Sequence, residues 1–247
     1  GLAIAALVFI MIPGNTKGNS RISKGPGSST STTSNIAELL KNRQVALTSV
    51  ISGFMYLTIS VFAELWVVPF FISKYGISNE LASSAAASIF VGVATGSLAL
   101  AAYARKIQSY VRTIRLATLA TALLFLALIY VPFGFHASLA VVFFIGFLTG
   151  AQAINFTCAK NNSSQETAGT TIAFSNCIVM LIGAIFQPTL GVILDHFWNN
   201  TVSRDGIRIY DTACYSCAIL VIPMFLAIAY VMSFYLKETI HMEHEHI

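Results

Sequence analysis

The sequence predicts an all-α polytopic membrane protein whose main part is a bundle of six transmembrane helices. Of its 247 residues, 56% are hydrophobic and 10% are charged, whereas charged residues make up about a quarter of a soluble domain. The apolar residues form long continuous runs without the alternation that is typical of a membrane barrel. Because only helices and closed barrels satisfy the backbone inside lipid, these runs predict helices.

The first 44 residues divide into two parts. Residues 1–13 are apolar but too short to cross a bilayer, and we interpret them as the end of a preceding transmembrane helix, cut by the start of the sequence. Residues 14–44 are rich in Ser, Gly and Thr and carry several basic side chains. That composition predicts a flexible basic linker.

Six apolar segments follow, and each has or approaches the roughly 20 residues that cross a bilayer as a helix. We expect them to form one bundle over residues 45–236. The segments are residues 45–72, 81–103, 115–131, 137–159, 168–194 and 212–236. A charged tail, residues 237–247, closes the sequence.

Lys and Arg predict the orientation of the bundle. Eleven of the 14 lie on the side that holds the linker, and only Lys74, Arg204 and Arg208 lie on the other. Because cytoplasmic loops carry an excess of Lys and Arg, the linker and the C-terminus are expected in the cytoplasm. The expected location is the cytoplasmic (inner) membrane of a bacterium.

One acidic residue, Glu64, lies clearly inside a predicted span, towards the outer part of the first one. A charged group at that depth costs roughly 2.5–3.5 kcal/mol on insertion scales, so it is expected to face the bundle interior or a water-filled cavity. Glu64 is therefore a candidate proton-coupling group or a contact for a cationic group of a substrate. A structural hydrogen bond to a neighbouring helix is the alternative.

Helical spacing extends this site along the first span. At about 100° per residue, Gly53, Tyr56, Ser60 and Glu64 share one narrow face. Such a polar face predicts an aqueous cavity, although Gly and Ser also mark tight helix packing.

Two later spans carry uncharged polar side chains that suit a polar substrate or hydrogen bonds between helices. The fourth span has Gln152 and Asn155, which follow a G-x-x-x-G packing pattern. The fifth has Asn176 and Gln187 on one face, and Pro188 after them could bend the helix.

The order of these segments resembles the C-terminal half of the major facilitator superfamily, in which a basic cytoplasmic loop joins two six-helix bundles. The family often has Gly-x-x-x-Asp-Arg and further basic residues between its helices 8 and 9. Here the corresponding loop keeps the basic residues but lacks the Asp. The resemblance makes four residues candidates for a gating loop: Arg105, Lys106, Arg112 and Arg115.

The resemblance implies a secondary active transporter that moves a small polar organic solute, an amino acid or an organic ion, by proton-coupled alternating access. The segment Glu166–Thr170 and the pair Gln187 and Pro188 look like those of bacterial facilitators for such solutes. An ion or solute channel, or a membrane protein that does not transport, is the alternative.

The expected partners are the substrate, protons or another coupling ion, the lipid bilayer, and an N-terminal six-helix bundle of the same protein. The sequence shows no nucleotide-binding G-x-x-x-x-G-K-[ST] motif and no catalytic pairing within its spans. We therefore expect no enzymatic activity, no cofactor, no metal and no nucleic-acid partner.

Overall fold

A computed structural model of the chain describes residues 41–202 and 208–239. In those residues it has six helices of membrane-spanning length and apolar composition, so the predicted all-α bundle is confirmed. The interpretation of residues 1–13, most of the linker and the tail from residue 240 lie outside the described residues. We number the helices α1 (Arg43–Tyr75), α2 (Asn79–Lys106), α3 (Tyr110–Tyr130), α4 (Phe135–Asn161), α5 (Ala168–His196) and α6 (Thr212–Tyr235).

Short polar side chains fix where four of these helices begin. Asn42, Ser78, Ser109 and Asp211 each accept a hydrogen bond from a backbone N–H in the first turn that follows. Such caps satisfy donors that the helix itself leaves unpaired. Helix α1 ends at Gly76, whose φ of 62° is a left-handed conformation that glycine adopts without strain.

Helix α3 begins five residues earlier than the sequence predicted, at Tyr110 rather than Arg115. The prediction assumed that basic residues lie in loops. Long Arg side chains instead reach the water from within a helix by extending along its surface. The cap at Ser109 therefore determines where α3 starts, and the charges do not.

Helix α1 is not a regular α-helix throughout. The segment Thr58–Trp66 is a π-helix, between α-helical segments Arg43–Leu57 and Val67–Tyr75. Pro69 follows closely, and a proline lacks the N–H donor and clashes with the carbonyl four residues earlier in an α-helix. The wider π turn removes that clash, which gives a local reason for the irregularity.

Two other helices, α4 and α6, are interrupted near their midpoints. Helix α4 consists of Phe135–Thr149 and Gln152–Asn161, with glycine and alanine between them. Helix α6 breaks at Leu220, three residues before Pro223. Helix α5, in contrast, continues through Pro188 as one α-helix.

Helix α1 lies at the centre of the bundle, where it packs against α2, α4, α5 and α6. In its most apolar stretch 67% of residues are buried, against 22% in α2 and in α5. Aromatic side chains fill the core around it, and the rings of Phe62 and Phe125 meet edge to face at 5.1 Å. Helices α2 and α5 therefore expose most of their surface outside this bundle.

Helices α2 and α4 pack backbone against backbone through glycine. A Cβ atom added at Gly96 would lie 1.9 Å from the carbonyl oxygen of Phe147, and one added at Gly146 would lie 2.2 Å from that of Ile89. Gly92 and Gly150 meet backbone atoms of the opposite helix at similar distances. The predicted G-x-x-x-G packing face on the fourth span is thus a close helix contact.

Candidate functional site

A cavity of about 310 Å³ opens between α1, α2, α4 and α5. Its volume is in the range of small-molecule sites, which combine an apolar wall with a few polar groups. The apolar part includes Val93, Phe156, Val179 and Met180. The polar side chains in the wall are those of Tyr56, Ser97, Thr149, Gln152 and Asn176.

Three residues that the sequence singled out therefore line one cavity, although they come from three helices. Tyr56 and Gln152 are half-buried, and Asn176 is exposed. Ser97 and Thr149 were missed, because a single hydroxyl in an apolar span is common and usually bonds to its own helix. Thr149 does donate to the Ile145 carbonyl in this way, at 2.8 Å.

Ser60 and Gln187 join α1 to α5 and are not part of the cavity wall. The Gln187 side-chain amide donates to the backbone carbonyl of Ser60 at 3.1 Å, and the Ser60 hydroxyl donates to the Tyr56 carbonyl at 3.2 Å. Gly183 leaves room for this contact, because a Cβ atom there would approach the Ser60 hydroxyl to 3.1 Å. Both residues hold the π segment against the neighbouring helix.

Asn155 lies deeper, with 1% of its surface accessible. Among the described residues, its side-chain amide donates to the sulfur of Met55, at 3.5 Å. Its carbonyl oxygen is buried and has no hydrogen-bond partner among the described residues. A buried polar atom without a partner costs about 1–3 kcal/mol, so this oxygen favours a polar partner such as water.

Glu64 lies in the π segment and is exposed on the surface of this bundle, whereas Ser60 is buried. The face predicted to join Gly53, Tyr56, Ser60 and Glu64 assumed α-helical geometry, which does not hold beyond Leu57. Hydrogen bonds to the fifth residue back widen each turn, so the positions of these residues around the helix differ from those that the α-helical spacing predicted.

The exposure of Glu64 and Asn176 has a physical consequence. A carboxylate at the lipid surface of a membrane helix is costly, so these groups are expected to face protein or water. Helix α5, which carries Asn176, is also among the least buried helices of the bundle. This polar surface is therefore expected to contact protein or water rather than lipid.

The four residues assigned to a gating loop occupy two helix ends around a connection of three residues, 107–109. Arg105 and Lys106 end α2 and are exposed, and Arg112 is exposed in the first turn of α3. Arg115 lies within α3, where it donates to the Ser233 carbonyl at 3.2 Å and covers the Phe234 ring at 4.0 Å. Arg115 thus binds the C-terminal end of α6, where a positive charge is favourable.

Glu238 was missed, because the sequence only placed it in a charged tail. Its carboxylate accepts hydrogen bonds from the Ser109 hydroxyl at 2.5 Å and from the backbone N–H groups of Tyr110 and Val111 at 3.1 and 3.2 Å. It also accepts one from Thr239 N–H at 3.0 Å. An acid is favoured at the N-terminus of a helix, so Glu238 fastens the end of α6 to the start of α3.

Partial burial works to raise the pKa of Glu238, but the hydrogen bonds from Ser109, Thr239, Tyr110 and Val111 outweigh it. The pKa of this carboxyl group therefore lies below its ordinary value. The group stays ionised at neutral pH and keeps its role as a cap.

Comparison with known proteins adds two findings. A sequence profile described as Major Facilitator Superfamily matches residues 1–188, and a search of curated proteins gives no match. The fold resembles the crystal structure of a bacterial homolog of the human lysosomal transporter Spinster, in an inward-facing and unoccupied conformation, with a TM-score of 0.64 and 15% identity. The match covers 99% of this chain but only 57% of that one, so this chain spans little more than half its length.

Proposed function

This chain belongs to the major facilitator superfamily, and on that premise we propose that it is the C-terminal half of a secondary transporter. An N-terminal bundle of the same protein would cover the exposed faces of α2 and α5. The substrate would bind near the midplane, between the two bundles, and be exposed to each side in turn as they rock.

The cavity among α1, α2, α4 and α5 carries this proposal. It brings together Tyr56, Gln152 and Asn176 with the hydroxyl groups of Ser97 and Thr149. A wall of neutral donors and acceptors matches one side of a small polar solute. In this proposal the other bundle supplies the opposite wall.

The substrate we propose is an amino acid or a small organic ion. The polar side chains in the wall are uncharged, so they favour hydroxyl, amide and carboxyl groups that accept or donate single hydrogen bonds. Glu64 lies on the same helix as Tyr56 and would supply a negative charge to this site. A cationic group on the solute, or a proton, would balance that charge.

We also propose that Glu64 couples transport to protons. As the bundles rock, this carboxyl group would pass between water and a less polar contact with the other bundle. Charge is costly in the second environment, so the proton would bind there and leave in water. Ser60 and Gln187 would keep the π segment fixed against α5 during that movement.

The basic residues Arg105, Lys106 and Arg112 would form the cytoplasmic gate, with Arg115 holding α6 to α3. The distribution of Lys and Arg supports a cytoplasmic linker and C-terminus. We propose the inner membrane of a bacterium as the location, as the resemblance to bacterial facilitators implies.

Uptake by the full-length protein in sealed vesicles tests the proposal. With an inward proton gradient we expect saturable accumulation of one amino acid or organic ion above its outside concentration, and no accumulation after a protonophore is added. Flux that stays downhill and does not saturate would instead favour a channel. Absence of flux for a broad panel of such solutes would contradict the proposed substrate class.

A further inference from the structure

A second cavity, of about 490 Å³, lies where α1 begins and α6 ends. It shares no lining residue with the cavity described above, and it has different chemistry. Three of its six lining residues are cations, and among the described residues that line it none is acidic. The lining residues are Lys41, Asn42, Arg43, Gln44, Tyr235 and Lys237.

Neutral amides, rather than the cations, hold the walls of this basic cavity in place. The Gln44 side chain donates to the Tyr235 carbonyl at 3.1 Å and accepts from Lys237 N–H at 2.9 Å. The Asn42 side chain caps α1 and donates to the Asn162 carbonyl at 2.8 Å. These bonds tie the start of α1 to the end of α6 and to the α4–α5 connection.

The positive charges of the three cations are consequently available to a ligand. Within the part of the chain that the structure describes, Lys41, Arg43 and Lys237 form no ion pair. The Arg43 guanidinium lies 5.8 Å from the centre of the Tyr235 ring, which orients it without neutralising its charge. Lys41 and Lys237 are exposed.

The depth of the cavity identifies the kind of ligand. Arg43 and Tyr235 are the end residues of two membrane-spanning helices, so the cavity opens at the level of the lipid headgroups. The Tyr235 ring is 60% exposed, and tyrosine is enriched at that interface. Basic cavities between helices at this level favour the phosphate groups of anionic lipids.

We propose that the basic cavity binds the headgroup phosphate of an anionic phospholipid. Three cations line this one cavity, and none of them is neutralised by an acid among the described residues. Its volume exceeds what a single water or ion needs. The basic cavity is separate from the substrate cavity, so a test of lipid binding does not depend on the proposed transport function.

Lipid binding to the purified full-length protein tests this site. Phosphatidylglycerol, phosphatidylcholine and inorganic phosphate are titrated separately, and bound lipid is counted by native mass spectrometry. We expect phosphatidylglycerol to bind in preference to the other two. Equal binding of phosphatidylcholine would overturn the proposal, and binding of inorganic phosphate as tight as that of the lipid would overturn the lipid assignment.

Variants locate the site. The Lys237→Gln variant is expected to bind phosphatidylglycerol about fivefold more weakly, because each cation near the headgroups contributes roughly that factor. The double variant Arg43→Gln and Lys237→Gln is expected to bind it about 25-fold more weakly. Lys237→Arg should bind like the original protein, since Arg keeps the charge. Lys160→Gln, on the same membrane face but outside the cavity, is the matched control. An equal loss in Lys160→Gln would show general surface attraction and overturn the proposal.

Discussion

At the scale of single residues, two carboxylates with contrasting surroundings are expected to do different work. Glu64 is exposed on a surface that lipid does not suit. Glu238, in contrast, accepts hydrogen bonds from the Ser109 hydroxyl and from three backbone N–H groups. Burial, partners and depth, rather than residue type, distinguish Glu64, for which we propose proton exchange, from Glu238, which holds two helices together.

Glu64→Gln is expected to abolish proton-driven accumulation while leaving exchange of substrate across the membrane. The amide has the size of the protonated acid but cannot release a proton. Uptake under a proton gradient should therefore fall to the equilibrium level, and counterflow of labelled substrate should persist. Both are measured in proteoliposomes.

Glu80→Gln is the control for this experiment, because Glu80 lies in the first turn of α2 outside the cavity. It should accumulate substrate like the original protein. Normal accumulation and normal proton stoichiometry in Glu64→Gln would rule out the coupling role.

Glu238→Gln is expected to destabilise the bundle by about 1 kcal/mol at pH 7, the usual value of a helix cap. The pKa of Glu238 is lowered in the folded protein, so its contribution is complete above the unfolded carboxyl pKa of about 4.3 and is lost as the pH falls through the folded value. The melting temperatures of the two proteins should thus differ at pH 7 and converge in acid. A difference that persists at low pH would contradict this origin.

At the scale of elements, close packing and helix irregularity set the shape of the cavity. The α2–α4 contact brings Ser97 and Thr149 to the same wall, because glycine allows the two backbones to touch. The π segment of α1 exposes Glu64 and presents the Ser60 carbonyl to Gln187. Substitutions at these places are expected to act through geometry rather than through lost polarity.

Gly96→Ala is expected to destabilise the protein by about 1–3 kcal/mol or more, the cost of overpacking, since the added methyl group meets a backbone carbonyl that cannot move aside. Gly191→Ala on α5 is the matched control, because nothing lies within 4 Å of a Cβ atom there. Thermal unfolding in detergent compares them. Equal melting temperatures for the two variants would contradict the backbone contact.

At the scale of the whole molecule, the bundle is asymmetric in what it exposes. Helix α1 is largely buried, whereas α2 and α5 are mostly exposed and carry polar groups beside the cavity. A second bundle that covers these helices and leaves water between the two halves accounts for both features. Some exposed faces of the bundle are therefore expected to contact water and others lipid.

In a background without its native cysteines, Asn176→Cys is expected to react quickly with a charged, membrane-impermeant thiol reagent. Leu123→Cys on α3, 56% exposed, is expected to react slowly, because lipid excludes the reagent and disfavours the reactive thiolate. Labelling rates in vesicles compare the two. Similar rates would show that the Asn176 face has no special access to water.

The sequence by itself determined the class of the protein, the six spans and three residues of the cavity, Tyr56, Gln152 and Asn176. Each of these follows from local properties: the transfer of consecutive residues into lipid, and the rarity of polar groups within such a run. The caps at Ser109 and Asn42 likewise follow from short-range chemistry, although the basic residues after Ser109 obscured the start of α3.

Only the tertiary structure decided how these parts meet. Ser97 joins the cavity because two helices approach through glycine. Glu64 lies exposed in a π-helical segment that the prediction treated as an α-helix. Glu238 reaches Ser109 across 129 positions of the chain. No periodicity along one helix encodes such contacts, because they depend on the packing of helices that are distant in sequence.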